Sequence, residues 1–346
     1  MHGRRFCVLT GNGTMAIALA LRAIAVRLGT GEVLVPSIAC PSIPQVIQYS
    51  GFMPRYVDVS ADFTVDVRSM ESAITPKTRA LLAVHIYGHA SDMDAITALA
   101  RAHDLPIIED AAQSMGGHFN NELLGSLGDF GILSFGSGKI LDVGGGGAVL
   151  FDDENDAEVL QRAAAELPSV ATSPNFQLET LSHWQLYHGA MNYLRVHPEA
   201  QIEAIWQHAS PLFADLYLHA FPPELAPRVT HGLDALSSNI AARLRRAERY
   251  HEGIRGLGYV TTDVWRRSGT IWRYSFLAPS GRDAVRLTAK LHAAGVNASN
   301  HYWSLADLFE GNKSLRATDV GARVINFWVD ERATDDAIDQ AIAVLR

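Results

Sequence analysis

The sequence predicts an α/β fold: a mostly parallel central sheet with flanking helices, followed by a smaller C-terminal α+β domain. Over the first 155 residues short apolar runs alternate with helix-like stretches, the pattern that successive βαβ units leave in a sequence. The middle of the chain, 156–257, loses the strand-like runs and becomes helical, and 258–346 returns to a mixture of strands and helices. These boundaries divide the chain into a large domain, a helical insert with a connecting helix, and a small closing domain.

The elements follow in order. Thr14–Leu28 is rich in Ala and Leu and reads as a helix, and Glu32–Pro36 is the first strand-like apolar run. Pro54–Val59 and Arg79–His85 read as strands, Asp92–His103 as a helix, and Pro106–Glu109 as another strand. Ile132–Phe135 and Ala148–Phe151 flank a glycine-rich turn and read as paired strands that finish the sheet. From Glu154 to about Arg255, Trp184, Leu186, Tyr187, Met191 and Leu194 fall on helical spacing, with Pro198, Pro211, Pro222, Pro223 and Pro227 as breaks. Thr270–Phe276 and Arg323–Val329 are strand candidates of the last domain, and Arg282–Ala294 and Thr334–Leu345 its helices.

Composition narrows the function classes. The 346 residues carry a net charge of −8, and the Arg-rich run is short (Arg243, Arg245, Arg246, Arg249), which argues against a nucleic-acid partner. Cys7 and Cys40 are too few for a disulfide framework and lack zinc-site spacing, so a reducing, cytoplasmic setting and no metal are expected. No run of 18 apolar residues and no signal peptide are present, so neither export nor a membrane is expected. HExxH, GxSxG and GxxxxGK[ST] are all absent, which removes zinc proteolysis, serine hydrolysis and P-loop chemistry.

Three segments carry chemistry. Thr10-Gly11-Asn12-Gly13-Thr14 puts flexible backbone and a hydroxyl at a helix N-terminus, where free N–H groups and the helix dipole favour a phosphate; a plain helix cap is the competing reading. Asp110 closes the strand Pro106–Glu109 and precedes Ala111-Ala112-Gln113, and such strand ends collect functional groups. A carboxylate there can keep the ring nitrogen of pyridoxal 5′-phosphate (PLP) protonated, which makes the ring an electron sink. Helix capping is the alternative for Asp110, and a solvated loop charge for Glu109. Lys139 stands between Ser134-Phe135-Gly136-Ser137-Gly138 and Gly144-Gly145-Gly146-Gly147, in a turn whose glycines let backbone approach a ligand; a buried lysine there can act as an amine nucleophile. Most lysines are solvated surface groups, and it is the wider constellation that sets this one apart. His85 reads as a packed core histidine, and His301-Tyr302 as a substrate contact.

Gly13-Thr14, Val84-His85-Ile86-Tyr87-Gly88, Glu109-Asp110-Ala111-Ala112-Gln113, Gly128-Asp129, Ser134-Phe135 and Lys139, in that order, resemble the DegT/DnrJ/EryC1/StrS aminotransferases. The resemblance runs from about Val8 to Asp152 and resumes more loosely at Ala241–Tyr250, Gly295–Tyr302 and Val324–Arg346. It implies a fold-type I PLP-dependent transferase in which Lys139 forms the Schiff base and Asp110 pairs with the pyridinium nitrogen. It also implies that Gln113 lies against the ring and that Gly13, Thr14, the Met15 backbone and Ser134 hold the phosphate. Three departures stand out: Ala39 or Cys40 falls where the family stacks an aromatic ring, Gly145 falls where it has a glutamate, and the usual segment before the Gly-Thr motif is short. Asn192 and Arg195 are the candidates for an asparagine–arginine pair that reaches the partner subunit.

The function these features imply is transfer of an amino group from an amino acid to a keto group on a nucleotide-linked sugar or related cyclitol, by a homodimer with shared active sites. A lyase or dehydratase of the same fold is the alternative, although the dehydratases that resemble this family carry histidine in place of the lysine. A regulatory or structural homologue without catalysis is the third.

Overall fold

The computed structural model describes residues 3–169, 174–197, 199–200, 216–310 and 316–346. The first half runs β1 (Phe6–Thr10), α1 (Gly13–Leu28), β2 (Glu32–Pro36), α2 (Ser42–Tyr49), β3 (Met53–Val57), α3 (Val67–Ala73) and β4 (Thr78–Val84). It continues with α4 (Met93–His103), β5 (Ile107–Asp110), the short hairpin β6 (His118–Phe119) and β7 (Glu122–Leu123), then β8 (Phe130–Ser134) and β9 (Gly147–Phe151). Seven of these strands form one sheet in the order β1-β9-β8-β5-β4-β2-β3. The pairs β2–β3, β2–β4, β4–β5 and β5–β8 are parallel, and only β9 is antiparallel to its neighbours β8 and β1.

Strand alternation explains the layers. Val33 and Val35 on β2, with Leu82 and Val84 on β4, point to a core shared with α1 and α2, while Leu34, Leu81 and Ala83 point to the α3 and α4 face. Residues buried from both sides are what a parallel sheet between helices demands. Helix α1 begins where the Asn12 side chain accepts the Met15 N–H at 2.9 Å, and it ends at Gly29 with φ 71°, a conformation that favours glycine.

β1 is an addition to the sequence reading: Ile132–Phe135 and Ala148–Phe151 do pair, as β8 and β9, but β1 adds beyond β9 and closes that edge. Only Val8 and Thr10 of Phe6–Thr10 are buried, although Phe6-Cys7-Val8-Leu9 is an unbroken apolar run. The short helices α2 and α3 were also unread, the first because its Pro41-Ser42-Ile43-Pro44 start looks like a loop.

Chain order reverses between β2 and β4: β3 lies to one side of β2, whereas β4, β5 and β8 step away on the other. Such a switch point opens a crevice at the carboxyl ends of these strands.

After β9 come α5 (Glu154–Ala165) and α6 (Pro174–Val196), then helices at Ala226–Asp234 and Leu236–Ile254. A second sheet, β10-β11-β13-β12, is antiparallel throughout: β10 is Val260–Thr261, β11 Arg273–Leu277, β12 Ala298–Ser299 and β13 Val324–Trp328. Helices Gly281–Ala293 and Asp335–Leu345 cover it over a core that contains Tyr250, Tyr274, Phe276 and Phe327.

Candidate active site

Asp110 is the last residue of β5, buried, with Oδ1 accepting the Ala112 N–H at 2.9 Å. Burial raises its carboxyl above the ordinary value; the Ala112 amide and the charge of Lys139 pull against that. Gln113, three residues on, is buried between two loops. Its Oε1 accepts the Tyr87 N–H at 2.8 Å and its Nε2 donates to the Tyr302 hydroxyl at 3.3 Å. Tyr87 sits at φ 59°, a left-handed conformation rare for a side chain of that size, and its hydroxyl donates to the His301 carbonyl while accepting the Tyr302 N–H. The loop after β4 is thereby tied to both Gln113 and the C-terminal half.

Glu109 is not a solvated loop charge. Fully buried, it points away from Asp110's side of β5, accepts N–H bonds from Gly125 (2.6 Å), Leu127 (2.7 Å) and Gly128 (2.8 Å), and lies 2.9 Å from His85 Nε2. Because the Ser91 N–H donates to His85 Nδ1, Nε2 is the nitrogen that carries hydrogen toward Glu109. Burial would push the Glu109 carboxyl up, but His85 and the loop amides outweigh it and hold it below the ordinary value. His85 is therefore the packed histidine expected, with a definite job: it helps anchor the loop behind β5.

Lys139 lies in the turn after β8. Gly138, at φ 77°, donates its N–H to Asp142 Oδ2 at 2.7 Å, the Lys139 N–H reaches the Gly136 carbonyl at 3.1 Å, and the Trp272 indole N–H donates to the Gly138 carbonyl at 2.6 Å. From the helix Leu236–Ile254, Arg243 donates to the Lys139 carbonyl at 3.3 Å and Asn239 to that of Ile140 at 2.9 Å. The turn is thus pinned on both sides. The amine itself rests over the Trp272 ring, 5.1 Å from its centroid. Burial pushes its pKa down, Cys40 and Asp110 pull it up, and Arg273 pushes it down again.

Gly13, Thr14 and Met15 form the first turn of α1, beside Ser134: a Cβ at Gly13 would come within 3.1 Å of Ser134 Cβ. The helix cap is Asn12 rather than Thr14, whose hydroxyl lies 2.9 Å from that of Ser42. The Met15 N–H is engaged by Asn12 Oδ1. The segment around Tyr217 and His219 closes over this end of α1: Asn12 Nδ2 donates to the Tyr217 carbonyl at 2.9 Å, and the Gly11 N–H to the His219 carbonyl at 3.0 Å. This contact was not foreseen, since nothing local in Leu216–Phe221 marks it as a partner of the glycine-rich turn.

These places suit PLP on a specific ground. Asp110 is buried and Lys139 half-buried, the two are opposite in charge and close enough to shift each other, yet they form no ion pair with one another. Burying two unpaired charges is costly unless a third group takes up the space and the bonding between them. A ring with a basic nitrogen at one end and a carbonyl at the other meets that description, and its phosphate would meet the α1 N-terminus and Ser134.

The profile of the DegT/DnrJ/EryC1/StrS aminotransferase family matches residues 1–173, half of the chain. The chain belongs to that family. Among curated proteins it is 39% identical over 155 residues to GDP-perosamine synthase of Caulobacter vibrioides, covering 44% of this chain and 41% of that protein. It is 37% identical over 153 residues to the L-glutamine:2-deoxy-scyllo-inosose aminotransferase of Micromonospora echinospora, covering 44% of this chain and 36% of that one. The chain therefore spans about two fifths of the length of these relatives. Among solved structures, DesV of S. venezuelae in complex with a ketimine intermediate aligns over 98% of this chain and 84% of its own, with a TM-score of 0.73 and 26% identity. The fold is that of the fold-type I PLP aminotransferases.

Measured against its DegT/DnrJ/EryC1/StrS relatives' pattern, the departures read in the sequence have structural places. Cys40 Sγ lies 3.1 Å from the Ser42 hydroxyl and within the fields of Lys139 and Asp110, and burial raises its thiol, so a small neutral group faces the site where an aromatic ring was expected. Gly145 is half-buried, with Leu225 as its nearest neighbour at 3.4 Å from a Cβ placed there. Arg195 is committed within its own chain: it is buried, donates to the carbonyls of Asn300 and Gly321 (2.5 and 3.1 Å) and lies 5.2 Å over the Trp303 ring, and burial lowers its pKa to about 10. Its companion Asn192, itself exposed, meets it at 3.4 Å. His301 and Tyr302 do line the site, Tyr302 stacking between Tyr87 (6.4 Å) and Trp272 (6.3 Å).

Trp272 and Arg273 are the residues that sequence reasoning missed. They sit inside the strand candidate Thr270–Phe276, where an aromatic is ordinary; an arginine in the middle of an otherwise apolar strand was the available signal.

Proposed function

We propose that this protein is a PLP-dependent aminotransferase that moves an amino group from an amino-acid donor to a keto group on a nucleotide-linked sugar or related cyclitol. The observation that carries this reading is the Asp110 carboxylate, buried at the end of β5, facing the half-buried Lys139 amine in the turn after the neighbouring β8, with no ion pair between them. Two relatives, GDP-perosamine synthase and L-glutamine:2-deoxy-scyllo-inosose aminotransferase, support the substrate class.

Bound PLP supplies an electron-withdrawing ring that stabilises negative charge at the substrate carbon. The remaining work falls to the chain. Asp110 holds the proton on the ring nitrogen, a task that suits a carboxylate fixed by the Ala112 amide at the end of a strand. Gln113, oriented by Tyr87 and Tyr302, would lie against the ring. Gly13, Thr14, Met15 and Ser134 receive the phosphate, the α1 dipole adding to their N–H and O–H groups. For the Met15 N–H to take part, Asn12 must release it. Lys139 Nζ is the group that would hold the cofactor and, when free, would carry a proton away from the substrate carbon as a general base. A base must be uncharged to accept, and burial over Trp272 favours the neutral amine.

The active form in this reading is a homodimer that shares its sites. Leu186, Tyr193 and Val196 on α6 support it, because they leave apolar side chains exposed along one face. By contrast, α1 buries most of its apolar residues within its own chain and offers little for such a contact. No described helix is long and apolar enough to cross a membrane.

The reading is tested by incubating the purified protein with PLP, removing free cofactor, and adding L-glutamine or L-glutamate while following the visible absorption. A stable visible band that the amino acid then bleaches is expected. A protein that remains colourless after incubation contradicts it.

A further inference from the structure

The Trp272 ring carries two cations. Lys139 Nζ lies 5.1 Å from its centroid and the Arg273 guanidinium carbon 4.3 Å from it. Arg273 is buried, packs on the Trp328 ring at 3.0 Å, and abuts the lysine turn so closely that a Cβ at Gly138 would lie 3.3 Å from Nη2. Its charge is poorly compensated. Its one carboxylate neighbour among the described residues, Asp330, is 3.9 Å away, and both oxygens of Asp330 are already bonded by Arg332, at 2.9 and 2.5 Å. Arg273 Nε, also buried, has no hydrogen-bond partner among the described residues.

A guanidinium stays charged even when burial lowers its pKa, because its intrinsic value is far above neutrality. Burying it next to the turn of a functional lysine, with half-committed compensation, is costly unless the charge is used there.

We propose that Arg273 is a positioning residue for Lys139: its guanidinium, held on the Trp272 ring that seats the lysine, is the fixed charge that opposes protonation of the Lys139 amine. The inference rests on the reading of Lys139 as the cofactor-bearing amine. Every group facing that amine enters the balance. Asp110 at the end of β5 and Cys40 after β2 favour the ammonium form; Arg273 on β11 disfavours it, and His301 shares the same field. Asp142 and Arg243 bond the backbone of the turn, at Gly138 N–H and the Lys139 carbonyl. Removing Arg273 leaves the field to Asp110, so the amine takes up a proton more readily.

The test needs no cofactor. In the cofactor-free full-length chain, acetic anhydride acylates only neutral amines, and mass spectrometry follows each lysine across pH. Lys77 and Lys290 are exposed and serve as internal references. With Arg273→Met the midpoint for Lys139 is expected to rise by about one pH unit while the references stay fixed. Arg273→Lys, which keeps a charge, is expected to leave it near that of the unaltered protein. Asp330→Asn, which removes the counter-charge, is expected to lower it. A Lys139 midpoint that ignores both Arg273→Met and Asp330→Asn, or moves the same way in both, overturns the proposal. A protein that fails to bind PLP in the earlier experiment leaves these midpoints measurable, so the two readings fail separately.

Discussion

Glu109 Oε1 and His85 Nε2 lie 2.9 Å apart, both side chains fully enclosed, directly behind the strand end that presents Asp110. The contact joins β5 to the loop after β4, and the other Glu109 bonds draw in the Gly125–Gly128 loop. Asp110 is consequently presented from a clamped strand rather than a free loop.

Glu109→Gln puts an amide N–H₂ where loop N–H groups already donate, leaving buried donors facing one another. A loss of about 3 kcal/mol in unfolding free energy is expected by denaturant titration. The pH dependence has a sign. A carboxyl held below its ordinary value stabilises the fold fully above its unfolded pKa, about 4.3, and loses that contribution as pH falls through the lower folded value. The difference in stability between the unaltered protein and Glu109→Gln should therefore shrink as pH drops below about 4. A difference that stays constant down to complete protonation would show that the charge contributes nothing.

Asp110→Asn should act in the opposite way on stability. Burial raises this carboxyl, so the ionised form costs the fold free energy at pH values above the unfolded pKa. The cofactor-free variant should melt no lower than the unaltered protein at pH 8, while turnover falls about a hundredfold or more. A lowered melting temperature with turnover intact would make Asp110 a structural residue.

Trp272→Phe keeps a ring under the Lys139 amine and removes the indole N–H that holds the Gly138 carbonyl at 2.6 Å. The turn should loosen at a cost of about 1 kcal/mol, and the rate at which PLP couples to the protein should fall more than its equilibrium affinity for the phosphate end. Stopped-flow absorbance against PLP concentration separates the two. Equal rates in both proteins would show that Trp272 only fills space.

The strand ends were legible because chemistry and topology coincide there: Asp110 closes the run that marks β5, and Lys139 stands in the glycine-marked turn between β8 and β9. Gly13 at the start of α1 and Ser134 at the end of β8, read from separate segments, are brought side by side. What could not be read arrives from far along the chain. Trp272 belongs to a strand of the other sheet and reaches the lysine turn across 134 positions, and the Tyr217 carbonyl reaches Asn12 across 205. Glu109 was misjudged because a charge beside a loop is ordinarily solvated; its burial depends on the Gly125–Gly128 backbone folding back over β5, which no periodicity announces. β1 was passed over although the unbroken apolar run Phe6-Cys7-Val8-Leu9 was the signal that could have found it.

Lys139→Ala removes a desolvated amine that forms no ion pair with a carboxylate among the described residues, so the cofactor-free fold should be no less stable, as thermal melting would record. Noncovalent PLP should still bind through Gly13, Thr14 and Ser134, giving the absorption of the free aldehyde without turnover. Turnover retained in this variant would place the reacting amine elsewhere.

The central claim is that Lys139 is the residue that holds the cofactor, and borohydride reduction of the PLP-loaded protein followed by peptide mapping tests it most directly. The chain's lysines are Lys77, Lys139, Lys290 and Lys313, so the assignment is a choice among these. The account predicts a single pyridoxyl-bearing peptide that contains Lys139. A label on Lys77, Lys290 or Lys313 instead, or no label after loading, would contradict it.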